Sequence, residues 1–188
     1  MTASYALNAI FATFPRIRLA RPADVPAIRE LHAASLRGLA RGHYDVNVIE
    51  TFIAHVQTLD EKLIDDGTYF VAEAGGRLLG AGGWSTRTPG YLDVVPGPAV
   101  GRSVRARIHS VFVHPDHSRI GLGRCLMARS EGAVRAAGHR EVALDATLSG
   151  VPLYVAMGYR NFSPLIARLP GGDTMTFMHM RKEFARVS

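Results

Sequence analysis

A single cysteine, Cys125, in 188 residues leaves no thiol for an intramolecular disulfide and no cysteine pair for a zinc cluster. Lysine is nearly as scarce: Lys62 and Lys182 stand alone, so all but two of the 22 basic residues are arginine. No apolar run approaches the roughly 20 residues that a membrane-crossing helix needs, so no membrane partner is expected. The stretch from Met1 to Phe14 lacks a basic start and a small-residue cleavage site, which argues against a secretory signal and for a cytoplasmic location. There is no HExxH, and His114 and His117 are explained by the proline turn between them, so no metal is predicted. A P-loop is excluded as well, because Gly-Lys-Ser/Thr occurs nowhere.

What remains is ample for a core. With 47% hydrophobic and 20% charged residues, the chain reads as one domain over 1–188. Its net charge of +6 suits a nucleic acid, an acidic partner or a phosphorylated cofactor. The arginines, however, are dispersed from Arg16 to Arg181 without a basic tail or an aromatic-interleaved strip, which argues against nucleic acid.

Hydrophobic spacing gives the elements. Ile17–Ala20 reads as a first strand, and Pro22-Ala23-Asp24 as a helix entrance with Asp24 as N-cap. Val25, Ile28, Leu31 and Leu39 share one helical face; Phe52, Val56, Leu59 and Leu63 predict a second helix ending near Asp66-Gly67. Strands at 69–73 and 78–84 flank a glycine-rich hairpin turn, and Gly80, Gly82 and Gly83 mark a bulge or close backbone approach. Six Pro and Gly residues between 88 and 102 predict a long loop. A strand at 105–113, a helix from Leu122 to about Ala137 stopped by Gly138, and a strand at 141–145 form a parallel pair with a right-handed crossover. The ligand is expected at the strands' carboxyl ends. A strand beginning at Tyr159–Phe162, the turn 170–173 and a last strand to Arg181 complete the pattern.

The densest information lies in Val111–Arg124. A buried strand runs through Val111, Phe112 and Val113 into a turn, and Ser118, Arg119, Ile120, Gly121, Leu122, Gly123 and Arg124 open a helix. Such a loop aims free backbone N–H groups at one spot with the positive helix end behind them, a site for an anion such as pyrophosphate. A dinucleotide fingerprint fails here, since Leu126 stands where its third glycine belongs.

This stretch resembles motif A of the GNAT superfamily of acetyl-CoA-dependent N-acetyltransferases: Gln or Arg, two residues, Gly, one residue, Gly or Ala. Gly121 and Gly123 match, with Ser118 at the leading position and Arg119 one step later. Leu153–Tyr159 resembles motif B, where Tyr154 matches a tyrosine four residues before a helix-ending glycine. Thr147 stands seven residues earlier, where the family often has Asn. The resemblance spans about Arg16 to about Glu183, with 86–104 as a variable loop.

The resemblance implies an α/β fold: a mixed, mostly antiparallel central sheet, its fourth and fifth strands parallel and splayed at the cofactor site, flanked by helices. It implies an N-acetyltransferase that uses acetyl-CoA as co-substrate, without metal, on a small-molecule or peptide amine acceptor, by direct attack in a ternary complex. Val111, Phe112 and Val113 would hold the pantetheine arm and polarise the carbonyl, residues 118–124 and Thr147 would contact the cofactor, and Tyr154 would protonate the leaving sulfur. Family members often pair as homodimers. A proton acceptor is sought on the central strand, where His109 stands; Glu73 is its weaker rival, and an acceptor arriving deprotonated needs neither. Cys125 reads as a buried packing residue rather than a nucleophile. The alternative is a non-catalytic acyl-CoA sensor or regulatory module.

Overall fold

Strands Arg16–Leu19 (β1), Tyr69–Ala74 (β2), Arg77–Ser85 (β3), Arg107–Val113 (β4), Glu141–Thr147 (β5), Arg160–Arg168 (β6) and Thr174–Glu183 (β7) form one sheet in the order β1-β2-β3-β4-β5-β7-β6. The computed structural model describes residues 15–87 and 106–185. Readings made for Met1–Phe14, and for the variable loop apart from residues 86 and 87, lie outside the described residues.

Every neighbouring pair is antiparallel except β4 and β5. Those two run parallel, as expected, and meet in register only at Arg107 and Ala143, where the Ala143 N–H donates to the Ala106 carbonyl at 3.0 Å. Beyond that rung the strands diverge, and the gap between them is the structural origin of the site.

Helices Val25–Leu39 (α1), Val46–His55 (α2), Lys62–Asp65 (α3), Leu122–Ala136 (α4) and Val151–Ala156 (α5) flank the sheet. Leu36, Ile49 and Phe52 of α1 and α2 pack with Leu165, Met175 and Phe177 of the last two strands. Met127 and Val134 of α4 pack with Val142, Leu144 and Met180. Burying these apolar faces is what holds the helices to the sheet.

Two local expectations are corrected. The helix expected from Phe52 to near Asp66-Gly67 is two elements. Asp45 caps α2 by accepting the Asn47 N–H at 2.8 Å, and Val56 leaves helical geometry at φ −105°, ψ 121°. The repeated spacing arises because Phe52 faces one core cluster while Leu59 and Leu63 face another, with Ile28 and Tyr69. Asp24, in turn, holds the N-cap position of α1 as expected, but its carboxylate caps no amide of that helix. Its carboxylate instead accepts the Arg21 N–H at 2.7 Å and the Arg18 guanidinium at 2.7 and 3.0 Å, which closes a short 3-10 turn over Pro22–Asp24.

The β2–β3 hairpin follows the sequence closely, with Gly75 and Gly76 both at positive φ. The strand glycines of β3 have a packing reason. A Cβ on Gly83 would lie 2.5 Å from the Thr68 carbonyl, and one on Gly80 2.8 Å from Leu126.

Candidate active site

The gap between β4 and β5 opens into a cavity of about 520 Å³. Val111, Phe112 and Val113 line one side, Leu144, Asp145 and Thr147 the other, with Ser118, Arg119, Gly121, Gly123, Arg124 and Tyr154 at its margins. Of the residues expected to contact the cofactor, only Ile120 and Leu122 do not line it. Ile120 projects outward at 65% exposure, and Leu122 is buried against Leu126 beneath the loop.

The β4 wall carries a bulge. Phe112 pairs with Ala81 and His109 with Gly83, so Ser110 and Val111 together face Gly82. Ser110 sits at φ +50°, and a Cβ on Gly82 would meet Val111 at 3.0 Å, so the bulge needs glycine opposite it.

After β4 the chain makes a 3-10 turn over Pro115–His117 and enters α4 through Gly121 at φ +89°. The two loop glycines serve different ends. Nothing lies within 4 Å of a Cβ built on Gly121, so its requirement is conformational; on Gly123 a Cβ would come 3.2 Å from Leu153, where α4 and α5 touch. Arg119 also has positive φ, at 64°, and with Arg124 it leaves two exposed guanidiniums beside the first turn of a 15-residue helix. Unpaired amides, the helix dipole and two cations make this corner suited to a polyphosphate.

Thr147 ends β5, its hydroxyl 3.2 Å from that of Ser149. Seven residues on, Tyr154 of α5 is only 8% exposed and stacks edge-on against Tyr159, ring centroids 5.8 Å apart. Burial pushes its phenol well above the ordinary value, so it stays protonated throughout the neutral range.

His109 lies in the cavity wall with Nε2 2.9 Å from the Ser85 hydroxyl, and burial, reinforced by the nearby Arg107 charge, pushes its pKa down to about 4. Its rival Glu73 is removed from consideration: it accepts the Arg18 Nε–H at 2.7 Å and does not line the cavity. Cys125 is also corrected, being exposed on α4 rather than buried, and it too is absent from the cavity wall. The ring centroids of His114 and His117 are 5.7 Å apart; among the described residues no group of three or more metal-ligating side chains occurs.

Asp145 was not singled out in the sequence, yet it is the carboxylate of the cavity wall among the described residues. Burial acts to raise its pKa, but the hydrogen bond from His179 at 2.7 Å and the Arg107 guanidinium at 2.6 Å outweigh that and hold it ionised. Ser110 was missed too. The signal for Asp145 was an acid inside the apolar run Val142–Ala146; for Ser110 there was none, because a bulge needs the partner strand to define it.

A family model described as an acetyltransferase (GNAT) domain matches residues 39–184. No curated protein matches the chain. Among solved structures, a GCN5-related N-acetyltransferase (aminotransferase, class-II) from Rhodopseudomonas palustris superposes with a TM-score of 0.70 at 19% identity, covering 92% of this chain and 98% of that one. The PaiA N-acetyltransferase of Thermoplasma acidophilum, in complex with coenzyme A, gives 0.63 at 17% identity over 90% and 99% of the two chains. The putative acetyltransferase yncA of Salmonella typhimurium, with its cofactor acetyl-CoA, gives 0.58 at 20% identity over 93% and 96%. These likenesses establish the shared fold.

Proposed function

Because the chain belongs to the GNAT acetyltransferase family, we propose that it transfers the acetyl group of acetyl-CoA directly to the primary amine of a small molecule or peptide within a ternary complex. The observation that carries this reading is the divergence of β4 from β5 after a single rung, into a cavity that the motif A loop, Val111–Val113, Thr147 and Tyr154 all border.

In this reading the amides of 119–124, with Arg119 and Arg124, grip the pyrophosphate, the Ser118 N–H being held by the Pro115 carbonyl at 3.1 Å, while Thr147 contacts the cofactor from the opposite strand. The main chain of Val111, Phe112 and Val113 pairs with the pantetheine arm and turns an N–H toward the thioester carbonyl. The amine nitrogen attacks that carbon, its oxygen takes the negative charge, and a positioned N–H stabilises it. Collapse breaks the C–S bond, and Tyr154 gives its hydroxyl proton to the departing thiolate. The proton shed by nitrogen leaves through His109 or directly to water. His109, pushed down to about 4, is neutral at the pH where amines react but holds a proton weakly. Most of the deprotonation is therefore assigned to the amine's own equilibrium.

The experiment is calorimetric titration with acetyl-CoA followed by a thiol-release assay over a panel of amines. Tyr154→Phe is expected to lower kcat by about 10-fold or more while leaving acetyl-CoA affinity and folding intact. Full turnover in that variant removes the tyrosine from its role, and absence of acetyl-CoA uptake by the wild-type protein overturns the reading as a whole.

A further inference from the structure

Ser110 and Arg119 are the non-glycine residues at positive φ among the described residues, and Ser110 lies inside a strand, where nothing about a turn excuses it. The surroundings hold it there. Its hydroxyl donates to the Thr58 carbonyl, and its own carbonyl accepts from the Tyr69 hydroxyl at 2.9 Å. Tyr69 is fully buried, and its oxygen lies 2.9 Å from His32 Nε2, while His32 Nδ1 lies 2.9 Å from the Thr58 hydroxyl.

Proton directions in this chain follow from chemistry. The Ser110 carbonyl has no proton to offer, so Tyr69 spends its single O–H there and must accept from His32 Nε2–H. His32 is then the neutral tautomer with a bare Nδ1, which accepts from Thr58. The assignment agrees with its environment, where burial pushes His32 down to about 3. The imidazole also packs on Phe112, ring centroids 4.2 Å apart, the first residue after the bulge. Thr58 and Ser110 line the cavity, and His32 and Tyr69 stand behind that wall.

We propose that Thr58, His32 and Tyr69 are positioning residues for acetyl transfer: a one-way hydrogen-bond chain that clamps the Ser110 bulge in its left-handed conformation and so aims the β4 amides at the thioester carbonyl. The proposal rests on acetyl-CoA lying along β4, as in the function proposed above. The chain is a clamp and not a proton path, since it ends on a carbonyl oxygen that cannot pass a proton on.

The test uses the full-length protein and acetyl-CoA labelled with carbon-13 at the thioester carbonyl, read by difference infrared spectroscopy. In the wild type the bound carbonyl band is expected below that of free acetyl-CoA. Tyr69→Phe keeps the ring but frees the bulge, and should return the band most of the way to the free position. The dissociation constant should change by less than about 3-fold, because the phosphate grip lies elsewhere. Adding Ser110→Gly should restore part of the shift, because glycine holds positive φ without the clamp. Thr58→Val gives the same reading should Tyr69→Phe not fold. A wild-type band position in folded, ligand-bound Tyr69→Phe or Thr58→Val overturns the clamp, as does an unshifted band in wild-type protein that binds acetyl-CoA. Failure of the wild type to bind acetyl-CoA overturns the underlying function and the clamp with it.

Discussion

His109 and His32 are imidazoles that burial keeps from charging, with pKa values pushed down to about 4 and about 3 from an ordinary 6.5. The consequence for stability has a definite sign. Above about pH 6.5 both are neutral folded or unfolded and neither contributes. Below it the unfolded chain takes up protons that the native state refuses, so stability is lost as pH falls from about 6.5 toward 4, by an amount on the order of 3 kcal/mol for His109. The thermal midpoint of the wild type should therefore fall across this window, and a His109→Gln variant should show a shallower fall in the same calorimetric series. The same depression bears on catalysis. A base that titrates near 4 cannot produce an acid limb of kcat/KM between pH 6 and 8, so that limb should follow the pKa of whichever amine is supplied and persist in His109→Gln. A limb that stays put as the amine is changed would return a protein base to the scheme.

Among elements, the loop entering α4 and the strand β3 show two different uses of glycine. Gly121→Ala meets open space but must hold φ +89°, so about 1 kcal/mol of strain is expected, with weakened acetyl-CoA binding as the amides shift; titration against the wild type measures it. Gly83→Ala meets the Thr68 carbonyl at 2.5 Å and Tyr69 at 2.6 Å, both in a packed layer. It should cost on the order of 3 kcal/mol, read as a large drop in thermal midpoint. The elements that were legible in the sequence are those whose signal is local: the β2–β3 turn from Gly75-Gly76, the stop of α4 before Gly138, the hairpin turn at 170–172. Where the reading failed, the competing influence was not local. Leu59 and Leu63 continue the spacing of Phe52 by coincidence, because they answer to a different cluster, and Asp24 was drawn away from its capping role by Arg18 on β1.

For the whole molecule, the arginine-rich surface and the net charge of +6 attract a polyanionic ligand at range. Raising salt from 0.05 to 0.5 M shortens the Debye length from about 14 to about 4 Å and should weaken acetyl-CoA binding several-fold. Removing Arg119 and Arg124 together, the two exposed cations at the loop, should flatten that dependence, while the dispersed arginines elsewhere should matter little.

Two kinds of information meet in this protein. The sequence alone determined what depends on neighbours a few residues apart: the strand, the glycine-gated helix start, the tyrosine within a later short helix, and through them the family. The tertiary structure alone decided what depends on residues brought together from distant segments. It set where β4 and β5 part, that Asp145 is held ionised by His179 and Arg107, and that a serine can be kept at positive φ by a threonine, a histidine and a tyrosine from three other segments. The physical reason is that backbone propensity acts over single turns, whereas burial and hydrogen-bond satisfaction act over the packed interior and have no fixed separation in sequence.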